Sequence, residues 1–212
     1  MKALQRLKET MTRILAINGS YRDDGVTDQL VDIMVESLRS RGAEVSVIQL
    51  RDYSIEFCLN CRECTQQPGA APGVCVLKDS MHDLVMKIEQ ADGFILASPT
   101  NFGSVTAVFK RFMERLMVYG YWPWGTPSPK FRKVKVSKKK AVLMSSSAAP
   151  GFIGRWLFGT HKQLKYTATA LGAETIGSLF VGLVSTDREP DLSPRVTSKA
   201  QKLADELLSS KI

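Results

Sequence analysis

Four cysteines crowd one stretch of this chain, as Cys58-x2-Cys61-x2-Cys64-x10-Cys75. Thiolates at such spacing are ligands for soft metals, and the first three match the ligand run of a 4Fe-4S cluster. Zinc is a second occupant, although four-cysteine zinc sites are more often built from C-x2-C pairs. A third reading is a loop that holds no metal. The gap before Cys75 contains Pro68, Gly69, Pro72 and Gly73, turn-forming residues that let the chain double back.

A second group with chemistry in it is Gly19-Ser20-Tyr21-Arg22-Asp23-Asp24-Gly25-Val26-Thr27. Gly19 and Gly25 permit a tight loop whose backbone N–H groups approach an anion. Ser20 and Thr27 bring hydroxyl donors, and Arg22 brings a forked full charge. A helix starting near Val26 adds the positive end of its dipole. The competing reading is an ordinary strand-to-helix turn capped by Thr27. The loop lacks G-x-G-x-x-G, which excludes the dinucleotide fingerprint, and lacks G-K-[ST], which excludes a nucleotide-hydrolysing P-loop. What remains is a site the size of a single phosphate, and flavin mononucleotide (FMN) is a natural occupant.

These groups need a scaffold, and the apolar pattern supplies one. Ile14–Ile17 reads as a buried strand, followed by a helix over Thr27–Arg41 that closes at Gly42. A strand over Glu44–Leu50 leads into the cysteine loop. A helix follows over Ser80–Gln90, then a strand over Gly93–Ala97, then a helix over Val105–Val118. A fourth strand covers Ala141–Met144, a helix covers Ile153–Leu171, and a fifth strand lies within Glu174–Leu183. Ser193-Pro194 caps and starts a last helix ending near Leu208. Five strands, each followed by a helix, predict a doubly wound parallel sheet with helices on both faces. Such sheets bind ligands beyond the carboxyl ends of their strands. The loop after the third strand, Pro99-Thr100-Asn101-Phe102-Gly103, has Pro99 to fix its turn, Gly103 to open the next helix and Phe102 to flank a planar ring. The loop after the fourth, Ser145-Ser146-Ser147-Ala148, leaves room for a flat ligand and donates to its heteroatoms.

The segments Gly19-Ser20-x-Arg22-x-x-Gly25-x-Thr27, Ala91–Ser104 and Phe109-Lys-Arg-Phe-Met-Glu-Arg115 resemble the flavodoxin-like NADPH-dependent FMN reductase family. Within it the chain looks closest to the iron–sulfur flavoprotein branch, and the resemblance spans residues 13–185. It implies FMN phosphate held by Ser20, Arg22, Gly25, Val26 and Thr27, and a flavin ring contacted by Pro99 to Gly103 and by Ser145 to Ala148. Val26 replaces the Asn usual in that branch, which turns a side-chain phosphate contact into a backbone one. Thr100-Asn101 replaces a frequent Val-Tyr. The implied activity is an FMN-dependent NAD(P)H oxidoreductase that reduces a quinone, a flavin or another small acceptor. The alternative is an electron carrier between proteins, with a 4Fe-4S cluster on Cys58, Cys61, Cys64 and Cys75. A homodimer or homotetramer is implied too, with the insert Tyr119–Lys138 as part of the interface.

The remaining features bound the reading. At 212 residues the chain can bury a full core, and 24% charged residues suit a globular domain. Residues 1–12 read as a helical arm and 13–212 as the FMN-binding domain. The opening segment lacks an apolar leader core, so a cytoplasmic protein without membrane attachment is expected. Net charge is +8. Much of it comes from Lys130, Arg132, Lys133, Lys135, Lys138, Lys139 and Lys140. That run reads as a docking site for an acidic partner or as a solvated loop, and without a nucleic-acid motif the second is favoured. His82 and His161 have no catalytic partners nearby in sequence, so no acid or base is assigned; a flavin carries its own redox chemistry. Trp122-Pro-Trp124 either covers a neighbouring subunit's flavin or anchors its own loop.

Overall fold

The computed structural model describes residues 11–133, 139–150, 157–184 and 191–209. Residues 1–10 of the expected arm, part of the basic run and the first residues of the expected helix at Ile153 lie outside the described residues.

Five parallel strands form the main sheet: β1 (Arg13–Asn18), β2 (Glu44–Gln49), β3 (Gly93–Ala97), β6 (Lys139–Ser146) and β7 (Ala173–Val181), in the order β2-β1-β3-β6-β7. Strands β4 (Gly120–Tyr121) and β5 (Lys130–Phe131) form a separate antiparallel pair within the insert. The helices are α1 (Val26–Ser40), α2 (Met81–Gln90), α3 (Ala107–Arg115), α4 (Thr160–Ala170) and α5 (Pro194–Leu208).

Alternation along the strands sorts the core into two layers. Ile14, Ala16, Ile95, Ala97, Val142 and Met144 face α1 and α5, together with Leu30, Met34 and Leu203. Leu15, Ile17, Phe94, Leu96, Ala141 and Leu143 face the opposite layer of α2, α3 and α4, with Leu84, Phe109, Phe112 and Leu164. The sheet is thus covered on both faces, as right-handed crossovers require.

Three local differences from the sequence reading have physical causes. Gly103 does not open a helix: Phe102 (φ 51°) and Gly103 (φ 76°) are the two centre residues of a tight hairpin turn closed by Asn101–Ser104 backbone bonds. The helix starts at Ala107 instead, where the Thr106 hydroxyl accepts the Phe109 N–H at 3.3 Å. Its α form stops at Arg115 and tightens into a 3-10 turn over Leu116–Tyr119. Ser193 sits at the N-cap of α5, but its side chain makes no capping bond; Pro194 alone marks the start.

Candidate active site

The order β2-β1-β3 reverses the winding at β1, so the loops after β1 and β3 splay apart and leave a crevice. A cavity of about 320 Å³ opens there. Ser20, Arg22, Gly25, Val26 and Thr27 line one side, and Pro99, Thr100 and Asn101 line another. Ser146, Ser147 and Ala148 complete the wall, with Tyr21 and Val184. Three segments distant in sequence therefore meet around one space. Its volume falls at the small end of ordinary ligand sites, about 300–1,000 Å³. Phe102, Gly103 and Ser145 do not line it. Phe102 stands fully exposed at the hairpin tip, and Ser145 lies buried behind the wall, 3.3 Å from the Thr100 hydroxyl.

The loop after β1 is held from beneath. Asn18 Oδ1 accepts the Ser20 N–H at 2.9 Å, and Asn18 Nδ2 donates to Asp28 at 2.6 Å. The Ser20 hydroxyl donates to the Arg22 carbonyl and accepts the Arg22 N–H, closing a small turn. Arg51, just after β2, donates to the Ser20 carbonyl at 3.3 Å and pairs with Asp23 and Asp28. Gly19 has no room for a side chain, because a Cβ would come within 2.8 Å of Phe109 Cβ. Gly25 caps α1 with no side-chain bond, which leaves the first-turn N–H groups without a capping side chain. That bare helix start beside Arg22 suits a phosphate, so this donor set fits FMN. Asn18, Asp28 and Arg51 are structural partners that no motif announces.

The ring-side loop is braced by α4. Thr160 Oγ1 lies 3.0 Å from Thr100 Oγ1, and Gly159 N–H donates to the Gly103 carbonyl at 2.8 Å. Gln163 Oε1 accepts from the Ser104 hydroxyl at 2.8 Å and from Val105 N–H at 3.1 Å. Left-handed backbone at a bulky residue such as Phe102 is costly, and these bonds hold it.

The cysteines lie on the loop after β2, with Cys64 and Cys75 packed against the core. Asn60 (φ 54°) and Arg62 (φ 65°) bend the turn on either side of Cys61. Burial pushes the Cys64 thiol up to about 11, and Cys75, Cys58 and Cys61 add to the rise. No three His, Cys, Asp or Glu side chains among the described residues are close enough to chelate a single ion. Two arginines contact this stretch: Arg115 Nη2 donates to Cys75 Sγ at 3.5 Å, and Arg132 Nη2 donates to the Cys64 carbonyl at 3.2 Å. The buried Nε groups of Arg62, Arg111 and Arg115 have no hydrogen-bond partner among the described residues. The Arg62 guanidinium lies over Trp122 and Trp124 and that of Arg111 over Phe57, and the described residues as placed show no ligand set for a cluster.

Trp122 and Trp124 both pack on the Arg62 side chain. The Arg62 guanidinium sits 3.7 Å from one ring centre and 4.2 Å from the other, and donates to the Trp122 carbonyl at 2.7 Å. His82 is exposed, and the His161 ring packs edge-on against Phe180 at 5.2 Å.

Strand order and cavity position define a flavodoxin-like α/β protein. The chain belongs to the NADPH-dependent FMN reductase family, whose sequence model matches residues 12–185. An iron-sulfur flavoprotein of Archaeoglobus fulgidus is 33% identical over 111 residues, covering 52% of this chain and 48% of that protein. One from Methanocaldococcus jannaschii is 33% identical over 103 residues, covering 49% of this chain and 51% of that protein. The chain spans about half the length of the curated relatives it matches. Among solved structures, an azoreductase from Bacillus anthracis superposes with a TM-score of 0.69 at 14% identity, over 92% of this chain and 100% of that one. An NAD(P)H:quinone oxidoreductase from Methanothermobacter marburgensis gives 0.64 at 13%, over 93% and 97%. At such identities the likeness concerns the fold. No helix among the described residues is long and apolar enough to cross a membrane.

Proposed function

We propose that this chain is an FMN-dependent oxidoreductase that takes hydride from NAD(P)H and reduces a quinone, a flavin or another small acceptor. The observation that carries this reading is the meeting of three loops around one cavity at the reversal of strand order. Ser20, Arg22 and the N–H groups from Gly25 to Thr27 bind the phosphate. Pro99 to Asn101 and Ser146 to Ala148 take the ring, with Phe102 and Gly103 shaping the ring loop and Ser145 backing it. Bound FMN supplies the hydride acceptance and electron transfer; the chain's residues bind it, orient it and exclude water from one face. The solved neighbours include an FMN-dependent NADH-azoreductase in complex with FMN, which supports the same occupant. Arg22→Ala and Ser20→Ala should each weaken FMN binding by about 1–3 kcal/mol, as loss of a charge-assisted contact does. Bleaching of the flavin band by NADPH or NADH tests the activity. An oxidised flavin after both additions sinks it.

A second reading adds a 4Fe-4S cluster on Cys58, Cys61, Cys64 and Cys75 and makes the protein an electron carrier. The relatives named iron-sulfur flavoproteins favour it. Iron analysis on protein purified without oxygen tests it, with about four irons per chain expected. A homodimer or homotetramer, with the insert 119–138 in its interface, completes the proposal; light scattering that reports a monomer refutes it. The cell compartment we assign is the cytoplasm.

A further inference from the structure

Among the described residues, five that are not glycine sit on left-handed backbone, and two of these are large and apolar: Phe102 (φ 51°) and Leu183 (φ 61°). Such backbone is uncommon for bulky residues and strains the chain. Both stand at the ring-side rim of the flavin cavity. Phe102 follows Asn101 and Leu183 precedes Val184, and Asn101 and Val184 line that cavity. Leu183 N–H donates to the Ala149 carbonyl at 3.2 Å and Val184 N–H to the Ser147 carbonyl at 3.3 Å, which ties the loop after β7 to the cavity wall. Phe102 is 110% exposed and Leu183 54%. Backbone strain and bare apolar surface therefore coincide at one place. The Phe102 ring lies wholly in solvent, so packing within the described residues offsets neither cost.

A turn with positive φ at both centre residues is best served by Asn-Gly. Here Phe102-Gly103 puts an aromatic ring where Asn would relieve the strain. The turn is held rigid nonetheless, by Gly159 N–H on the Gly103 carbonyl and by Gln163 on Ser104 and Val105. A bare ring on a braced tip is preorganised for contact with something outside the chain. A cavity of about 320 Å³ is near the lower bound for a single ligand, so an acceptor that comes after FMN has to meet the site at its rim. We propose that Phe102, assisted by Leu183, is a specificity-determining residue that docks the electron acceptor and restricts it to planar, apolar rings of the naphthoquinone class. This rests on the FMN-dependent oxidoreductase reading given above. A planar ring gains stacking and burial against Phe102, whereas a compact hydrophilic acceptor such as ferricyanide gains neither.

The test uses the full chain loaded with FMN. Parent, Phe102→Asn, Phe102→Tyr and Leu183→Asn are compared for binding of 2-methyl-1,4-naphthoquinone to the oxidised holoprotein by isothermal titration calorimetry. Melting temperature, light scattering and NAD(P)H-driven turnover with the naphthoquinone and with ferricyanide are read alongside. Asn tolerates left-handed backbone, so Phe102→Asn should melt no lower than the parent. Its dissociation constant for the naphthoquinone should rise about tenfold, the scale of an aromatic contact with its burial. Phe102→Tyr keeps the ring and should bind within about twofold of the parent. Leu183→Asn should weaken binding in the same direction but less, because part of that residue is already covered. The ratio of kcat/KM for the naphthoquinone to that for ferricyanide should fall with the affinity. An affinity in Phe102→Asn equal to the parent's overturns the inference, as does an equal loss in Phe102→Tyr or a parent that does not bind the naphthoquinone. A changed oligomeric state in Phe102→Asn with unchanged affinity overturns it too and assigns the rim to a second copy of the chain. A parent flavin that NAD(P)H leaves oxidised, with naphthoquinone binding as expected, overturns the oxidoreductase reading and with it the acceptor role, and leaves the rim a site for planar rings.

Discussion

The hydroxyls of Thr27 and Ser146 lie 2.9 Å apart, although 119 residues separate them. One belongs to the first turn of α1 and the other to the end of β6, and both line the cavity. The contact closes the phosphate side of the site against the ring side. Thr27→Ala and Ser146→Ala should each weaken FMN binding by about 0.5–1.5 kcal/mol, the net worth of one hydrogen bond. The double variant should lose little more than either single one, because the two side chains act through one shared contact. Flavin fluorescence titration reads all three, and fully additive losses would show that the hydroxyls act separately.

Arg51 should matter to flavin binding without lining the cavity. It holds the Ser20 carbonyl and pairs with Asp23 and Asp28, so it fixes the loop and the first turn of α1 together. Its replacement by Ala leaves Asp28, only 6% exposed, beside Asn18 without its cation. Weakening of FMN binding by about 1–3 kcal/mol is expected, the cost of a buried polar group left short of a partner. Arg51→Lys should recover part of it. An affinity equal to the parent's in Arg51→Ala would show that the loop holds its shape unaided.

Asp79 sets the acid limb of stability. Burial alone would raise its carboxyl, but the Arg115 hydrogen bonds and the N–H groups of Glu56 and Met81 outweigh that and hold it below its ordinary value of 3.8. A depressed carboxyl stabilises the fold above the unfolded value, and that contribution drains away as pH falls through the folded one. Asp79→Asn should cost about 3–5 kcal/mol at neutral pH, since it leaves Arg115 buried without its anion. It should also flatten the loss of stability at acid pH. Urea unfolding from neutral pH downward measures both, and parallel acid limbs would assign the slope to other carboxylates.

The main sheet is legible in sequence because parallel strands covered on both faces are short unbroken apolar runs, as in Gly93–Ala97. Strands β4 and β5 are not legible: two residues each carry no period, and cross-strand contact alone creates them. The cavity wall is legible because small hydroxyl residues at strand ends are rare enough to notice. Its supports are not. Arg51 and Gln163 read as surface side chains, and only the fold brings Arg51 to Ser20 and Gln163 to Ser104. Arg115 is the sharpest case. Polarity patterning places an arginine at a helix end in solvent, yet this one is buried because Asp79 and Cys75 arrive from 36 and 40 residues away to receive it. The gap before Cys75 misleads in the opposite direction. Its prolines and glycines read as slack, whereas Gly73 N–H donates to the Val118 carbonyl at 2.7 Å and Arg132 holds the Gly69 carbonyl at 3.1 Å.

Gly73 should therefore be the least replaceable residue of that gap. A Cβ there would sit 1.8 Å from the Cys64 carbonyl oxygen and 2.8 Å from its carbon. Both are backbone atoms of a turn held by Arg132 and by the Thr65 bonds to Arg62, so neither can step aside cheaply. Gly73→Ala should destabilise this turn by about 1–3 kcal/mol, as overpacking does, and expose Cys64 and Cys75. Gly69→Ala provides the contrast. Its Cβ meets nothing within 4 Å, and its cost is confined to a φ of +125°. Thiol labelling of metal-free, reduced protein reads the difference: Cys64 and Cys75 should react several-fold faster in Gly73→Ala, while FMN binding stays at the parent level because the cavity lies on other loops. Equal labelling rates in Gly73→Ala and the parent would show that the turn relaxes around the added methyl group and that the close approach is not what shields the two thiols.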